Sequence, residues 1–300
     1  MAFSHDMPDI PAYHSPGRCI YCMKEFPPEQ LREEHIIPLA LGGTWRIEHA
    51  ACFPCQNDTN RLYENAALNS DMIRVPRALL ELKRRRQKQK PPIWFPPLFP
   101  SNTASATNVG HLPQKTVARD EYPALFAMIV MEPPGKLAPS YFPKRQPPRN
   151  KLRIWIRSIE ENVPSAPIVS DEINFPGGYD KGQTILIAVD LNQKEKPPVS
   201  LRQRLNVRAF ALMLAKIGYC FGVAGLGLDG FDGSKIRDLL RDERKDVFNF
   251  VGNPVDGGNL TQRYLHQLAF RDRGDLLSVI IHLFASYQAP VYEVVIGKRK

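Results

Sequence analysis

Cys19-Ile20-Tyr21-Cys22, then Glu33-Glu34-His35-Ile36-Ile37-Pro38-Leu39-Ala40-Leu41-Gly42-Gly43, then Cys52-Phe53-Pro54-Cys55: these stretches decide how the first quarter of the chain folds. A C-x-x-C turn aims two sulfurs at one point. Two such turns make the tetrahedral four-sulfur arrangement that structural Zn²⁺ prefers. Cys19, Cys22, Cys52 and Cys55 are therefore the expected zinc ligands. The 29 residues between the pairs exceed the roughly 12–20 of small zinc ribbons, so a structural unit is inserted there. His35-Ile36-Ile37 reads as a short strand stopped by Pro38, and Gly42-Gly43 reads as a turn. Past the second pair, Asn57, Asp58 or Thr59 can cap a helix whose apolar face holds Leu62, Ala66, Leu68 and Ile73. The order is knuckle, strand, turn, strand, knuckle, helix.

C-x-x-C, then E-H-I-I-P-x-x-L-G-G, then C-x-x-C followed at once by an Asn-containing helix start resembles the HNH endonuclease family. More narrowly, it resembles the branch whose ββα-metal motif is held by four cysteines and a structural zinc. The resemblance covers about residues 19–75. It implies a nuclease with His35 as general base and Glu34 as a ligand of a catalytic divalent cation, Mg²⁺ or Mn²⁺. It also implies an Asn just past the last Cys as a second cation ligand. That position holds Gln56 here. Asn57 is the favoured match, with Gln56 and Asn60 as alternatives. The family's central Asn, which orients the base, has no counterpart in Ile47-Glu48-His49-Ala50-Ala51, where Glu48 or His49 can substitute. The implied substrate is DNA, double-stranded.

The chemistry agrees with these roles. A neutral imidazole, with an unperturbed pKa of about 6.5, is suited to taking a proton from water near neutral pH. One hard cation can offset charge on the phosphate and the leaving oxygen. Adjacent strand residues face opposite sides, so Glu34 and His35 need a bulge or strand end to serve one site. Glu33, on the face of His35, is a rival ligand.

Charge is unevenly spread along the 300 residues, whose formal net charge is +9. Residues 1–60 are net acidic. Residues 61–90 are strongly basic and hold the run Lys83-Arg84-Arg85-Arg86, and residues 141–157 carry basic side chains and no acid. Concentrated basic stretches supply the salt-dependent attraction to phosphates, and they are equally compatible with solvated faces. Arg46, Arg61, Arg84 and Arg85 are the candidate nucleic-acid contacts.

Other classes fall away. The longest apolar runs, near 209–215 and 276–285, are shorter than the roughly 20 residues that span a bilayer, so no membrane association is expected. The first 20 residues lack a basic start and an apolar segment. A reducing, cytoplasmic compartment is therefore expected, where four paired cysteines hold metal rather than disulfides. Cys220, in an apolar stretch, reads as a core thiol.

The fold class expected is α+β, a small zinc-stabilised ββα-metal module followed by a larger α+β domain. Residues 1–18 read as an N-terminal arm and 19–75 as the nuclease module. Residues 76–120 read as a basic helix and Pro-rich linker, and 121–300 as an α+β domain with no chemistry of its own. Helix is expected over Asn60–Gln89 with a break near Pro76, and as the main helix of the second domain over 201–224. Strands are expected at 123–132, 151–159, 184–191, 277–286 and 290–297, with a frayed Lys298-Arg299-Lys300 tail. The strand at 151–159 alternates, placing Lys151, Arg153 and Arg157 on one face. The rival function is a noncatalytic zinc module that binds nucleic acid or protein.

Overall fold

A two-stranded hairpin carries the central motif. The computed structural model describes residues 12–82, 98–100, 125–137, 151–158, 168–169, 172–174, 185–193, 196–257 and 263–300. Strand β1 (Leu31–His35) pairs antiparallel with β2 (Arg46–Cys52). β1 therefore starts and ends earlier than the sequence suggests, because Pro38 and the turn that follows occupy the chain beyond it. That turn is a 3₁₀ segment, Leu39–Leu41, closed by Gly42 at φ 83°, a conformation that glycine adopts without steric cost. Gly43 follows because a Cβ there would lie 2.1 Å from the Ile37 carbonyl oxygen. The two glycines thus do different work.

The helix after the hairpin starts earlier than expected. Helix α1 (Phe53–Thr59) begins directly after Cys52, with Pro54 in its first turn. Proline is preset for that position and gives up an N–H that would have no helical partner. Residues 57–59 lie inside the helix rather than capping it. The coil then widens into a π-turn, Asn60–Glu64, and closes through α2 (Asn65–Leu68). The break comes at Asn69-Ser70 instead of Pro76. Helix α3 (Asp71–Leu79) starts after Ser70 and contains Pro76. Residues 83–89 of the expected helix, with Arg84 and Arg85, lie outside the described residues.

The remainder is mixed helix and strand, in agreement with the α+β expectation. In chain order it comprises β3 (Leu98–Pro100), β4 (Leu125–Val130), β5 (Lys151–Ser158), β6 (Ile168–Val169), β7 (Ile173–Asn174), β8 (Ile185–Gln193) and β9 (Lys196–Leu205). Then come α4 (Val207–Leu226), β10 (Phe231–Asp232), α5 (Ser234–Leu240), β11 (Val251–Gly252), β12 (His266–Arg273), β13 (Leu276–Leu283) and β14 (Tyr292–Arg299). One sheet has the order β10-β14-β13-β12, with β11 also on β14. β3, β9 and β8 form a second sheet, and β4, β5 and β6 a third with β7 on β5. Strands β3, β6, β7, β9, β10, β11 and β12 lie outside the sequence expectations, and residues 201–205, expected to open the main helix, belong to β9, so that helix starts at Val207. The expected fraying at Lys298 and Arg299 is replaced by pairing with Asp232 and Phe231.

Helix α4 organises the molecule. The Asn206 side chain caps it by accepting from the Ala209 N–H at 2.9 Å. Its expected apolar face is present: Val207, Phe210, Leu214 and Ile217 are buried, and Phe221 stacks on Trp45 of the hairpin at 6.2 Å between centroids. At 20 residues it is long and apolar enough to cross a membrane by length and composition, longer than the apolar run at 209–215 suggests. Its window is 78% buried inside the protein, as in the core helix of a folded domain. It packs on β13 and β14 and on the π-turn and α2 of the N-terminal four-cysteine region. Tyr219 Oη donates to the Ile20 carbonyl in the first knuckle at 2.5 Å. His266 Nε2 meets the Leu41 carbonyl at 2.7 Å, tying β12 to the hairpin turn.

Candidate active site and metal centre

The four sulfurs of Cys19, Cys22, Cys52 and Cys55 lie within 4.8 Å of one another. Zn–S bonds of about 2.3 Å in a tetrahedron put sulfurs about 3.8 Å apart, so the cluster has the dimensions of a zinc site. Local folding explains the convergence. The first knuckle is closed by Cys19 N–H to the Lys24 carbonyl and Met23 N–H to the Cys19 carbonyl, both at 2.9 Å. The second sits where β2 turns into α1. The Cys52 backbone N–H donates to Cys19 Sγ at 3.4 Å. The adjacent Cys55 thiol, aided by backbone N–H groups, pulls Cys19 down to about 4 even against burial, while the same contact and burial push Cys55 up and burial raises Cys52, so it is the geometry of the four sulfurs that points to a metal. The arrangement supports zinc.

Between the knuckles, Glu34 pairs across the hairpin with Ile47, and His35 with Arg46. One residue of β1, Glu33, stands opposite three of β2, Glu48 to Ala50. The bulge is therefore on β2, where His49 takes φ 46° and its ring Nδ1 meets the Pro28 carbonyl at 2.8 Å. Burial along β1 does not simply alternate: Leu31 and Glu34 are buried, Arg32 is exposed, and Glu33 and His35 are half-buried. Glu33, His35 and Arg46 share the outward face, with Arg46 Nε 3.5 Å from Glu33 Oε2. Glu34 turns the other way, into the protein.

There Glu34 is 2% exposed. Its Oε1 lies 2.5 Å from Lys216 Nζ, and its Oε2 accepts from Gln56 Nε2 at 3.4 Å. Gln56 Nε2 also donates to the Glu33 carbonyl at 2.9 Å. Lys216 Nζ reaches Glu64 Oε2 as well, at 2.6 Å. The cluster joins β1, α1, the π-turn and the middle of α4. Burial works to discharge Lys216, but Glu34 and Glu64 outweigh it and hold the ammonium well above the ordinary lysine range. Burial pushes Glu34 up, with Glu64 adding to the push and Lys216 opposing it. Tyr21, Tyr63 and Cys220 wall the cluster. Burial raises all three, with Cys220 pushed up to about 12, so Cys220 is an inert core thiol as expected.

Residues 19–71 match the HNH endonuclease family. Neither the curated proteins nor the solved structures compared gave a match. The match covers the same span as the motif and the four-sulfur cluster.

Within the matched segment the expected residues separate. His35 is half-buried on the outward face. Of the three amides past Cys55, Gln56 touches Glu34, while Asn57 is exposed and Asn60 lies at the start of the π-turn. Trp45 packs between Tyr13 and Phe221. Arg61 is exposed and pairs with Asp58 at 3.4 Å. On β5, Lys151 pairs with Glu172 at 2.7 Å and Arg157 donates to the Tyr287 carbonyl at 3.3 Å, leaving Arg153 exposed on that face.

Lys216 and Glu64 are the residues the motif does not reveal. Lys216 had a signal of its own, as the single charge in the interior of a 20-residue apolar helix. Glu64 had none beyond following the second knuckle by two turns.

A hard divalent cation takes oxygen ligands, and Glu34 and Gln56 carry them side by side. The position does not fit such an ion as arranged. Glu34 is sealed from solvent, and its carboxylate is already matched by an ammonium.

Proposed function

We propose that the chain is an endonuclease that hydrolyses phosphodiester bonds of DNA, in its double-stranded form and in a cytoplasmic setting. The family match supports nuclease chemistry on nucleic acid. The observation that carries the residue assignment is the outward pair of His35 and Arg46, directly opposite on the hairpin. Opposed residues of an antiparallel pair hold their Cβ atoms about 4.5–5.5 Å apart. An imidazole and a guanidinium at that spacing can serve one phosphate. Neutral His35 takes the proton from the attacking water. Arg46 binds the phosphate oxygens with a fixed fork of donors and offsets charge as the P–O3′ bond breaks, the leaving 3′ oxygen taking a proton from solvent water. Glu33, already beside Arg46, holds that guanidinium in place. The zinc cluster fixes the hairpin and takes no part in the chemistry. In families of this kind a Mg²⁺ or Mn²⁺ ion supplies further charge neutralisation.

A supercoiled-plasmid assay with zinc-loaded wild type and His35→Ala tests this. General-base catalysis contributes about 10²–10⁴-fold, so the variant should nick more slowly by that factor with zinc content unchanged. The sealed state of Glu34 favours a second reading, a module that binds nucleic acid without cutting it. Tight, salt-sensitive DNA binding with no cleavage of several DNA and RNA substrates would establish that reading instead.

A further inference from the structure

We propose that Lys216 is a built-in cation that takes the place of a divalent ion at Glu34, so that the wild-type chain has no Glu34-dependent divalent-cation site. The inference rests on the HNH reading of residues 19–71, which makes the carboxylate before His35 the expected ion ligand. Everything else comes from the cluster itself. Glu34 offers two oxygens. One is 2.5 Å from Lys216 Nζ, and the other faces the Gln56 amide. A Mg²⁺-sized ion needs oxygens at about 2.0–2.1 Å and keeps several waters. Placed on Glu34, it would sit against the ammonium with no room for those waters and no solvent to screen two like charges, since Glu34, Lys216 and Glu64 are all buried.

Lys216 is not free to swing away. It lies in the middle of α4, whose next turn is pinned to the module by Tyr219 on the Ile20 carbonyl and by Phe221 stacked on Trp45. Glu64 makes the ammonium a bridge rather than a single pair. It arrives from the π-turn, the one place where the helical run after Cys55 widens. Five-residue hydrogen-bonded turns are uncommon and recur at functional positions. Here the turn places the second carboxylate on the lysine. Helix α4, outside the matched span, therefore supplies to the HNH module the positive charge that the module would otherwise draw from solution.

The test is Mn²⁺ binding to the zinc-loaded full-length chain, followed by the free-ion electron paramagnetic resonance signal. Four proteins are compared: wild type, Glu34→Gln, Lys216→Met, and Lys216→Met with Glu64→Gln. Glu34→Gln leaves Glu64 as partner of Lys216. The double variant removes one carboxylate along with the lysine, which guards against misfolding of the single variant. Wild type and Glu34→Gln should bind Mn²⁺ equally weakly. A folded Lys216 variant should gain one site, tighter by at least about tenfold. A Mn²⁺ site in the wild type that disappears in Glu34→Gln overturns the proposal, and that comparison needs neither lysine variant. A folded lysine variant that gains no site overturns it as well. Failure of the wild type to cut DNA would sink the nuclease reading and leave this binding result standing. A Glu34-dependent Mn²⁺ site in a chain that cuts DNA would do the reverse.

Discussion

Replacing Lys216 with methionine keeps an unbranched apolar stem, one atom shorter, and removes the charge. Two carboxylates, Glu34 and Glu64, are then left buried and facing one another without a cation. Breaking a buried ion pair by deleting one partner costs about 3–5 kcal/mol, because the remaining charge stays desolvated. Unfolding entropy of roughly 2.1 cal/mol/K per residue over 300 residues converts this to a fall in melting temperature of roughly 5–8 °C. Differential scanning calorimetry of zinc-loaded protein at pH 7 reads it directly.

The sign of the pH dependence is also fixed. Glu34 in the folded protein is raised above its unfolded value. In the variant it loses the lysine that opposed the rise, so folding favours its protonated form more strongly. The deficit against wild type should therefore shrink as pH falls toward the carboxylate range and grow as pH rises from there to neutral. Adding Glu64→Gln should recover part of the loss. A fall in melting temperature below about 2 °C, or a deficit that widens on acidification, would refute the idea that Lys216 neutralises these carboxylates.

Two further changes probe the scaffold. Cys52→Ser removes one of the four clustered sulfurs and keeps the backbone N–H that donates to Cys19. It should release zinc and unfold the 19–71 segment, because such sites supply folding energy outright; unchanged zinc content and melting would contradict this. Gly43→Ala puts a methyl group against the Ile37 carbonyl. It should cost about 1–3 kcal/mol, typical of overpacking, seen as a lower urea midpoint with an unchanged slope. An unaltered midpoint would mean that the hairpin turn relaxes freely.

The zinc cluster and the hairpin were legible because local chemistry fixes them. Two cysteine pairs at two-residue spacing point to one shared metal site, and Gly42-Gly43 can serve a turn that other residues cannot. The main helix was legible because Val207, Phe210, Leu214 and Ile217 repeat at helical steps along a face that is buried. What escaped was decided by packing across long separations. The helix starts at Phe53, directly after Cys52 and with Pro54 in its first turn, so the capping residues downstream were a weaker signal. Strand β12 pairs with β13 through a tight turn around Gly274, yet its polar alternation, with Gln267, Arg271 and Arg273, hid it among loops. Glu34 was read as a cation ligand brought to the site of His35 by a bulge or strand end, whereas its carboxylate turns into the protein and meets Lys216. Its partner lies 182 positions away on α4, where no local pattern reaches. The choice among Gln56, Asn57 and Asn60 likewise followed from where α1 begins. One residue of helical offset moves an amide by about 100° around the axis, and this turns Gln56 rather than Asn57 toward Glu34.

The central claim is that His35 on the outward face of a zinc-held hairpin activates water against a phosphodiester. The most direct measurement is on the ends it makes. Nicked duplex from the zinc-loaded wild type should carry 5′-phosphate and 3′-hydroxyl ends that DNA ligase reseals, and His35→Ala with full zinc should yield almost none. Equal nicking by His35→Ala, or no ligatable ends from a folded, zinc-loaded wild type, would contradict the account.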